Sequence, residues 1–310
     1  MRILNGLIGL SQLPASLAVS IGTYDGVHQG HQALLAELKS VPRTKGTAVF
    51  SFASHPRQIL FPEIAFTPLM DLTEKTSQLA RLGLDFFVVL PAQPELFNLS
   101  PFAFWQQLRS TQPAMIIEGS DFRFGKDRAG TINDLQRWSN DAGVRLKIMK
   151  EFEILVENQR IPVRSQTIRE WLTGERVTDA LRLLGHPYAL TGIVESGFRQ
   201  GKRLGFPTAN ISAITSLIPT DGVYQATTRV NSQTYQVALS IGTRPTFGDS
   251  PRLVEAHLID YNGDLYGSQL TLRIERYLRP QITFKSMTDL IAKIHEDIRI
   301  IRGGQSEILS

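Results

Sequence analysis

Hydrophobic positions along the chain follow two patterns, and the change between them comes near residue 184. In the first part, short apolar runs at 17–21, 47–52, 86–90, 114–117 and 144–149 alternate with stretches of helical period, among them 31–38, 74–82 and 132–138. This alternation predicts a parallel sheet with helices on both faces. In such sheets ligands bind beyond the carboxyl ends of the strands, so each polar cluster that follows a strand is a candidate site. In the second part, apolar runs at 188–195, 222–230, 234–241, 253–259 and 269–276 follow one another with no helix between them, and one long helical pattern remains at 287–301. Consecutive strands predict an antiparallel sheet or barrel. The stretch 175–184 has Val177, Ala180, Leu181 and Leu184 on one side of a helix and is broken by Gly185-His186-Pro187. Two domains are therefore expected, 1–184 and 185–310, with no long linker between them.

Composition narrows this picture. A chain of 310 residues exceeds the size at which one core stops growing, which agrees with two domains. With no cysteine there is no disulfide framework, no thiolate metal site and no cysteine nucleophile. The opening residues are interrupted by Asn5 and followed by Gln12 and Pro14, which do not make a signal-peptide core, and no apolar run is long enough to cross a bilayer. A cytoplasmic protein is expected. A net charge of +4 and a pI near 9.4 suit anionic ligands such as nucleotides, but the Lys and Arg are scattered, so nucleic acid is not expected as a partner.

The most telling stretch is Gly22-Thr23-Tyr24-Asp25-Gly26-Val27-His28-Gln29-Gly30-His31, where a strand, a glycine turn and a helix meet. His28 and His31 lie three apart and share a face of the first helical turn. Unpaired N–H groups and the helix dipole favour an anion there, so phosphate is the expected guest. After the second strand comes Ser51-Phe52-Ala53-Ser54-His55-Pro56-Arg57, in which His55 reads equally well as a solvated loop residue. After the fourth, the stretch from Glu118 to Gly130 sets Phe122 and Phe124 beside Asp121, Arg123 and Arg128; it reads as a ligand loop or as a wide turn whose Phe plugs the core. Ser165 is placed to cap a helix, with Arg169 a turn later where it could meet a polyphosphate. In the second part, Gly197, Gly201 and Gly205 would let main chain approach a phosphate, with Lys202 and Arg203 supplying charge. Thr208 and Asn210 are two apart and so face the same side of an extended segment, and their hard oxygens suit Mg²⁺. Taken alone this stretch would read as a glycine turn leading into a strand.

Together, His28-x-Gly30-His31, His55-Pro56, Gly119-x-Asp121-Phe122-x-Phe124-Gly125 and Ser165-x-x-Ile168-Arg169 resemble the adenylyltransferase half of prokaryotic bifunctional riboflavin kinase/FAD synthetases. Gly205-Phe206-Pro207-Thr208-Ala209-Asn210 resembles the riboflavin kinase signature. It is supported in order by Gly222-Val223-Tyr224, Ser240-Ile241-Gly242-Thr243-Arg244-Pro245-Thr246-Phe247, Val254-Glu255-Ala256-His257, Asp264-Leu265-Tyr266-Gly267 and Leu278-Arg279. The resemblance spans nearly the whole chain. It implies a Rossmann-like α/β nucleotidyltransferase domain of the HxGH type, followed by an antiparallel β-barrel riboflavin kinase domain with a C-terminal helix. It also implies phosphorylation of riboflavin to FMN by ATP, then adenylylation of FMN to FAD and pyrophosphate.

The resemblance assigns the sites as well. His28 and His31 would stabilise the reacting phosphates, with Gly22, Tyr24, Gly30, Ser165 and Arg169 around the ATP and His55, Asp121, Phe124 and Arg128 on the flavin side. In the barrel, Thr208 and Asn210 would hold Mg²⁺, Gly201 and Lys202 the phosphates, Glu255 would serve as base and Arg279 would lie near the flavin. Glu255 is expected to point into the barrel beside a mouth. The implied partners are small molecules (riboflavin, FMN and ATP), with no nucleic acid and no membrane; self-association is left open. Three positions depart from the family pattern: Tyr24 stands for the usual Phe, Glu118 for an apolar residue and Gln166 for a small hydroxyl. The last two keep open a second reading, a riboflavin kinase whose first domain has weakened or lost adenylyl transfer. A third is a non-catalytic flavin or nucleic-acid-binding protein on the same folds; the intact Thr208, Asn210 and Glu255 set and the lack of a basic tract oppose it.

Overall fold

The structure, a computed structural model, describes residues 1–195, 205–243 and 252–304. The chain forms two compact units, 1–165 and 166–310. The first contains β1 (Arg2–Asn5), β2 (Ala18–Ile21), β3 (Thr47–Phe52), β4 (Phe86–Leu90), β5 (Met115–Gly119), the short pair β6 (Arg123–Phe124) and β7 (Gly130–Thr131), then β8 (Arg145–Met149). Six of these form a parallel sheet in the order β1-β4-β3-β2-β5-β8. All five expected strands are present, and β1 adds an edge that its four residues, three of them exposed, did not announce.

Both faces of the sheet are covered because its strands are apolar on both sides. Leu17, Val19 and Ile21 pack with Phe50, Val88 and Leu90 against Trp105 and Leu135 of helices Pro101–Ser110 and Ile132–Asp141. Ala18, Val49, Phe87 and Val89 pack on the other face against Leu35, Leu38 and Leu79 of helices Gln29–Ser40 and Leu72–Arg81. Burying each Leu or Phe of this kind contributes roughly 1.5–3 kcal/mol. The chain order reverses at β2, with β3 on one side and β5 on the other, which opens a crevice beyond the carboxyl ends of β2 and β5. A hairpin of β9 (Glu153–Val156) and β10 (Gln159–Pro162) follows; its turn residues Glu157 and Asn158 have φ of 47° and 65°, the left-handed pair that matches strand twist.

In the second unit, β11 (Tyr188–Glu195), β12 (Ala209–Ser212), β13 (Gly222–Val230), β14 (Gln233–Gly242), β15 (Leu253–Leu258) and β16 (Gln269–Arg279) close an antiparallel barrel in the order β11-β12-β15-β14-β13-β16. Leu190, Val237, Leu239, Ala256, Leu272 and Ile274 fill its interior and are fully buried. The helix Val177–Leu184 packs on β16, and Thr220 N–H donates to the Leu172 carbonyl at 2.8 Å, so the two helices that precede residue 185 go with the barrel unit. The C-terminal helix Met287–Gly303 starts at Ser286, whose hydroxyl accepts from Asp289 N–H, and buries Ile298 and Ile301 with Phe206 and Ile259.

Candidate active sites

The first site begins where β2 and β5 part. They pair only at Ala18–Met115 and Val19–Ile116. Beyond the last pair, Ile21 N–H donates to Glu118 Oε1 at 2.6 Å, so a side chain stands in for the missing strand carbonyl. Ser20 Oγ donates to the same oxygen at 3.2 Å and receives Tyr24 Oη at 2.6 Å. Burial, then the nearby Asp121, pushes the Glu118 carboxyl well above the usual carboxylate range. Burial likewise raises the Tyr24 phenol.

The turn that follows is left-handed at Tyr24 (φ 47°), Gly26 (φ 89°) and Val27 (φ 39°). Such conformations cost a non-glycine residue about 1–3 kcal/mol, so the surroundings must hold them. Lys75 Nζ donates to the carbonyls of Thr23 at 2.8 Å and Phe52 at 3.3 Å, and lies 3.2 Å from Ser51 Oγ, which itself donates to Thr23 at 3.0 Å. Leu69 N–H donates to Asp25 Oδ1 at 2.8 Å, and Ser165 Oγ donates to the Asp25 carbonyl at 2.7 Å. Burial lowers the Lys75 ammonium to about 8, with Asp25 opposing the shift. Sequence reasoning missed Lys75, Asp25 and Ser51. The signal for Lys75 was its place on the apolar stripe Leu72, Lys75, Leu79 and Leu82.

His28 caps the helix Gln29–Ser40: its Nδ1 accepts from His31 N–H at 3.3 Å. The two imidazoles stack at 3.6 Å with planes 16° apart, and the Tyr24 ring lies 5.0 Å from that of His31. A Cβ on Gly30 would stand 3.3 Å from the His28 ring and 3.2 Å from the Val163 carbonyl, which accounts for glycine between the histidines. His31 Nδ1 is buried and has no hydrogen-bond partner among the described residues. Burial, then the charges of His28 and Lys75, lowers His31 well below the usual imidazole range. A neutral ring is a hydrogen-bond donor to phosphate, and an arriving anion would favour its protonation.

Other expected residues take different positions. Tyr24 is 2% exposed and backs His31 from the core, where the sequence suggested contact with ATP. Gly22 sits against the Tyr24 ring, 3.1 Å from where a Cβ would be. Ser165 is the first residue of the helix Ser165–Thr173, and its hydroxyl donates to the Asp25 carbonyl, so it does not act as a cap; Arg169 is a turn further on. His55 caps the helix Pro56–Leu60, accepting from Arg57 N–H at 3.2 Å, with its ring 4.3 Å from Phe66. Phe124 is 5% exposed and packs at 5.2 Å from Phe104 and 5.4 Å from Phe122, so it anchors its loop in the core, while Asp121 and Arg128 are exposed on that loop. Gln166 is exposed and donates to Glu170 at 2.8 Å along its own helix.

In the barrel, strand register draws the expected residues into one line. Asn210 is opposite Glu255, Glu255 opposite Ser240, Ser240 opposite Val223, and Val223 opposite Arg279. Directly opposed residues of antiparallel strands share a face, so this row crosses β12, β15, β14, β13 and β16 on one side of the wall. That side is the outer one. Val254 and Ala256 are buried inward, so alternation sends Glu255 outward, which corrects the expectation that it points into the barrel. There a cavity of about 240 Å³ is lined by Thr208, Ser240, Glu255 and Arg279 from the barrel side and Leu290, Ile294 and Asp297 of the C-terminal helix.

Arg279 Nε lies 3.1 Å from both Asp297 carboxylate oxygens and Nη2 lies 2.7 Å from Oδ2, with the side chains 15% and 5% exposed. Arg252 pairs with Asp221 at 2.6 Å, and His257 Nδ1 lies 2.8 Å from the Pro207 carbonyl. Gly201, Lys202 and the stretch from Arg244 to Phe247 lie outside the described residues.

Comparison with known proteins gives a consistent answer. A family model of FAD synthetase matches residues 11–163 and one of riboflavin kinase matches residues 184–303. The bifunctional riboflavin kinase/FMN adenylyltransferase of Listeria monocytogenes is 32% identical over 292 residues, covering 90% of this chain and 89% of its own. That of Pseudomonas fluorescens is 32% identical over 97% of both chains, and that of Escherichia coli K12 is 30% identical over 96% of both. A crystal structure from Streptococcus pneumoniae, described as a macrolide-efflux protein, matches with a TM-score of 0.84 over 98% of this chain and 100% of that one; at 24% identity it shows the fold alone. No helix among the described residues is long and apolar enough to cross a membrane. By identity and coverage, the chain belongs to the bifunctional riboflavin kinase/FMN adenylyltransferase family.

Proposed function

We propose that the chain makes FAD from riboflavin in two ATP-dependent steps, the first at the barrel cavity and the second at the β2–β5 crevice, with the functional boundary at residue 184. The observation that supports this reading is the cavity that Thr208, Ser240, Glu255 and Arg279 line, with Asn210 the cross-strand neighbour of Glu255.

The ribityl 5′-hydroxyl is a poor nucleophile at neutral pH. Glu255 takes its proton as the oxygen bonds to the γ-phosphorus of ATP and ADP leaves, a contribution of typically ~10²–10⁴-fold. Mg²⁺ fits the donor set: Thr208 and Asn210 offer neutral oxygens, which suit an ion that draws much of its coordination from phosphates and water. When bound, it supplies charge neutralisation on those phosphates. Arg279, held by Asp297, orients the flavin.

In the second step an FMN phosphate oxygen bonds to the α-phosphorus of a second ATP and pyrophosphate leaves. The nucleophile arrives already ionised, so no base is required. His28 and His31 donate hydrogen bonds to oxygens on which charge grows, and the helix start at Gln29 adds to that field. Asp121, Arg128 and His55 are the polar groups assigned to FMN, on a loop that Phe124 anchors. Product chromatography after incubation with riboflavin, ATP and Mg²⁺ tests the sequence of steps. FMN is expected first, followed by FAD; a reaction that stops at FMN would leave only the kinase half standing.

A further inference from the structure

We propose that Glu118 is a positioning residue for adenylyl transfer: through Ser20 and Tyr24 it holds the wall against which His31 lies. The inference rests on the assignment of His31 to that step. The hydrogen bonds run in one direction. Tyr24 Oη donates to Ser20 Oγ, and Ser20 Oγ and Ile21 N–H both donate to Glu118 Oε1, so the carboxyl is the acceptor on which the chain ends. Tyr24 in turn places its ring 5.0 Å from that of His31, which is stacked on His28 from the helix start. The imidazole thus lies against a phenol that burial holds in the core and that a hydrogen bond fixes at its far end.

The two residues that end this chain, Tyr24 and Glu118, are also two of the positions at which the sequence departs from the pattern it resembles. Here they form one unit, with Ser20 joining them across 94 residues of sequence. The groups facing Glu118 are Ser20, Tyr24 and Asp121; those facing His31 are His28, Lys75 and Tyr24. Burial and Asp121 both favour the neutral acid at position 118, which keeps a further negative charge away from the crevice that receives a triphosphate. An apolar residue at 118 would leave two buried donors, Ile21 N–H and Ser20 Oγ–H, without their acceptor. An amide would keep that acceptor.

The test compares Glu118→Leu with Glu118→Gln in the full chain, measuring FMN adenylylation by ATP and, on the same preparations, riboflavin phosphorylation. Glu118→Leu is expected to lower kcat for FAD formation about tenfold while KM for ATP moves less than about twofold, since misorientation acts on the transition state and not on binding. Glu118→Gln should retain most of the rate, and phosphorylation should be unchanged in both. Tyr24→Phe should reproduce much of the loss, and Tyr24→Phe combined with Glu118→Leu should cost less than the two losses added together. Normal FAD formation by Glu118→Leu, equal damage from Leu and Gln, or a parallel fall in phosphorylation would each overturn the proposal. His31→Ala, run alongside, separates the two ideas. If it still forms FAD, the underlying assignment fails; if it does not while Glu118→Leu behaves as the parent, only the positioning role fails.

Discussion

Lys75 shows how one side chain can set the chemistry of a turn. It is 7% exposed on a helix whose apolar stripe it interrupts, yet its ammonium finds two carbonyls and a hydroxyl at the ends of β2 and β3. Its pKa of about 8 means that it is charged below that pH and neutral above it. FAD formation should therefore decline as pH rises through about 8, because a cation beneath the phosphate-binding turn is lost. A pH–rate profile of Lys75→Met should lack this limb and lie lower throughout. Stability moves the other way. The folded-state value lies below the ordinary 10.5, so between the two the unfolded chain binds the proton more tightly and the fold gains stability as pH rises. Asp25 and Ser51 were not legible as site residues, and Lys75 only as a charge on an apolar stripe, because their partners lie on distant segments, which no motif encodes. The places of His28, His31 and Gly30 were legible, since they follow from a local helix start.

Elements were easier to read than single contacts. Every strand and helix expected from periodicity is present, because burial on two faces or on one writes itself into the order of apolar residues. What went unnamed were β1 and the β9–β10 hairpin, short pieces with little buried surface, and the helix Pro101–Ser110, which buries Trp105 and Leu108; β12 reads as the strand after a glycine turn. The orientation of β15 was also written in the sequence. Val254 and Ala256 alternate with Glu255 and His257, and that period of two already sends the carboxylate outward.

The outward face is closed into a cavity by the C-terminal helix, joined to β16 through Arg279 and Asp297. Removing one partner of a buried pair strands the other, at a cost of about 3–5 kcal/mol. Asp297→Ala should lower the urea midpoint of unfolding by a corresponding amount and raise KM for riboflavin. Lys293, 3.9 Å from Asp297, is a further member of this cluster on the helix. An unchanged midpoint would show that the clasp contributes nothing to the fold.

At the scale of the whole molecule, the chain belongs to a family named for two activities, and the reading proposed here gives each activity its own set of residues. The histidine turn is assembled from β2, β3, β5 and the helix Leu72–Arg81, all within 1–165, and the carboxylate row from five strands of the barrel. Switch-point crevice and barrel wall need different supports, which is why the hydrophobic pattern changes between the halves. The direct test of this division is product chromatography of Glu255→Ala and His31→Ala, each supplied in turn with riboflavin or with FMN, together with ATP and Mg²⁺. The expected result is crossed. Glu255→Ala loses riboflavin phosphorylation by ~10²-fold or more yet converts added FMN to FAD, whereas His31→Ala accumulates FMN and makes little FAD. Loss of both products in either variant, or full conversion by both, would contradict the account.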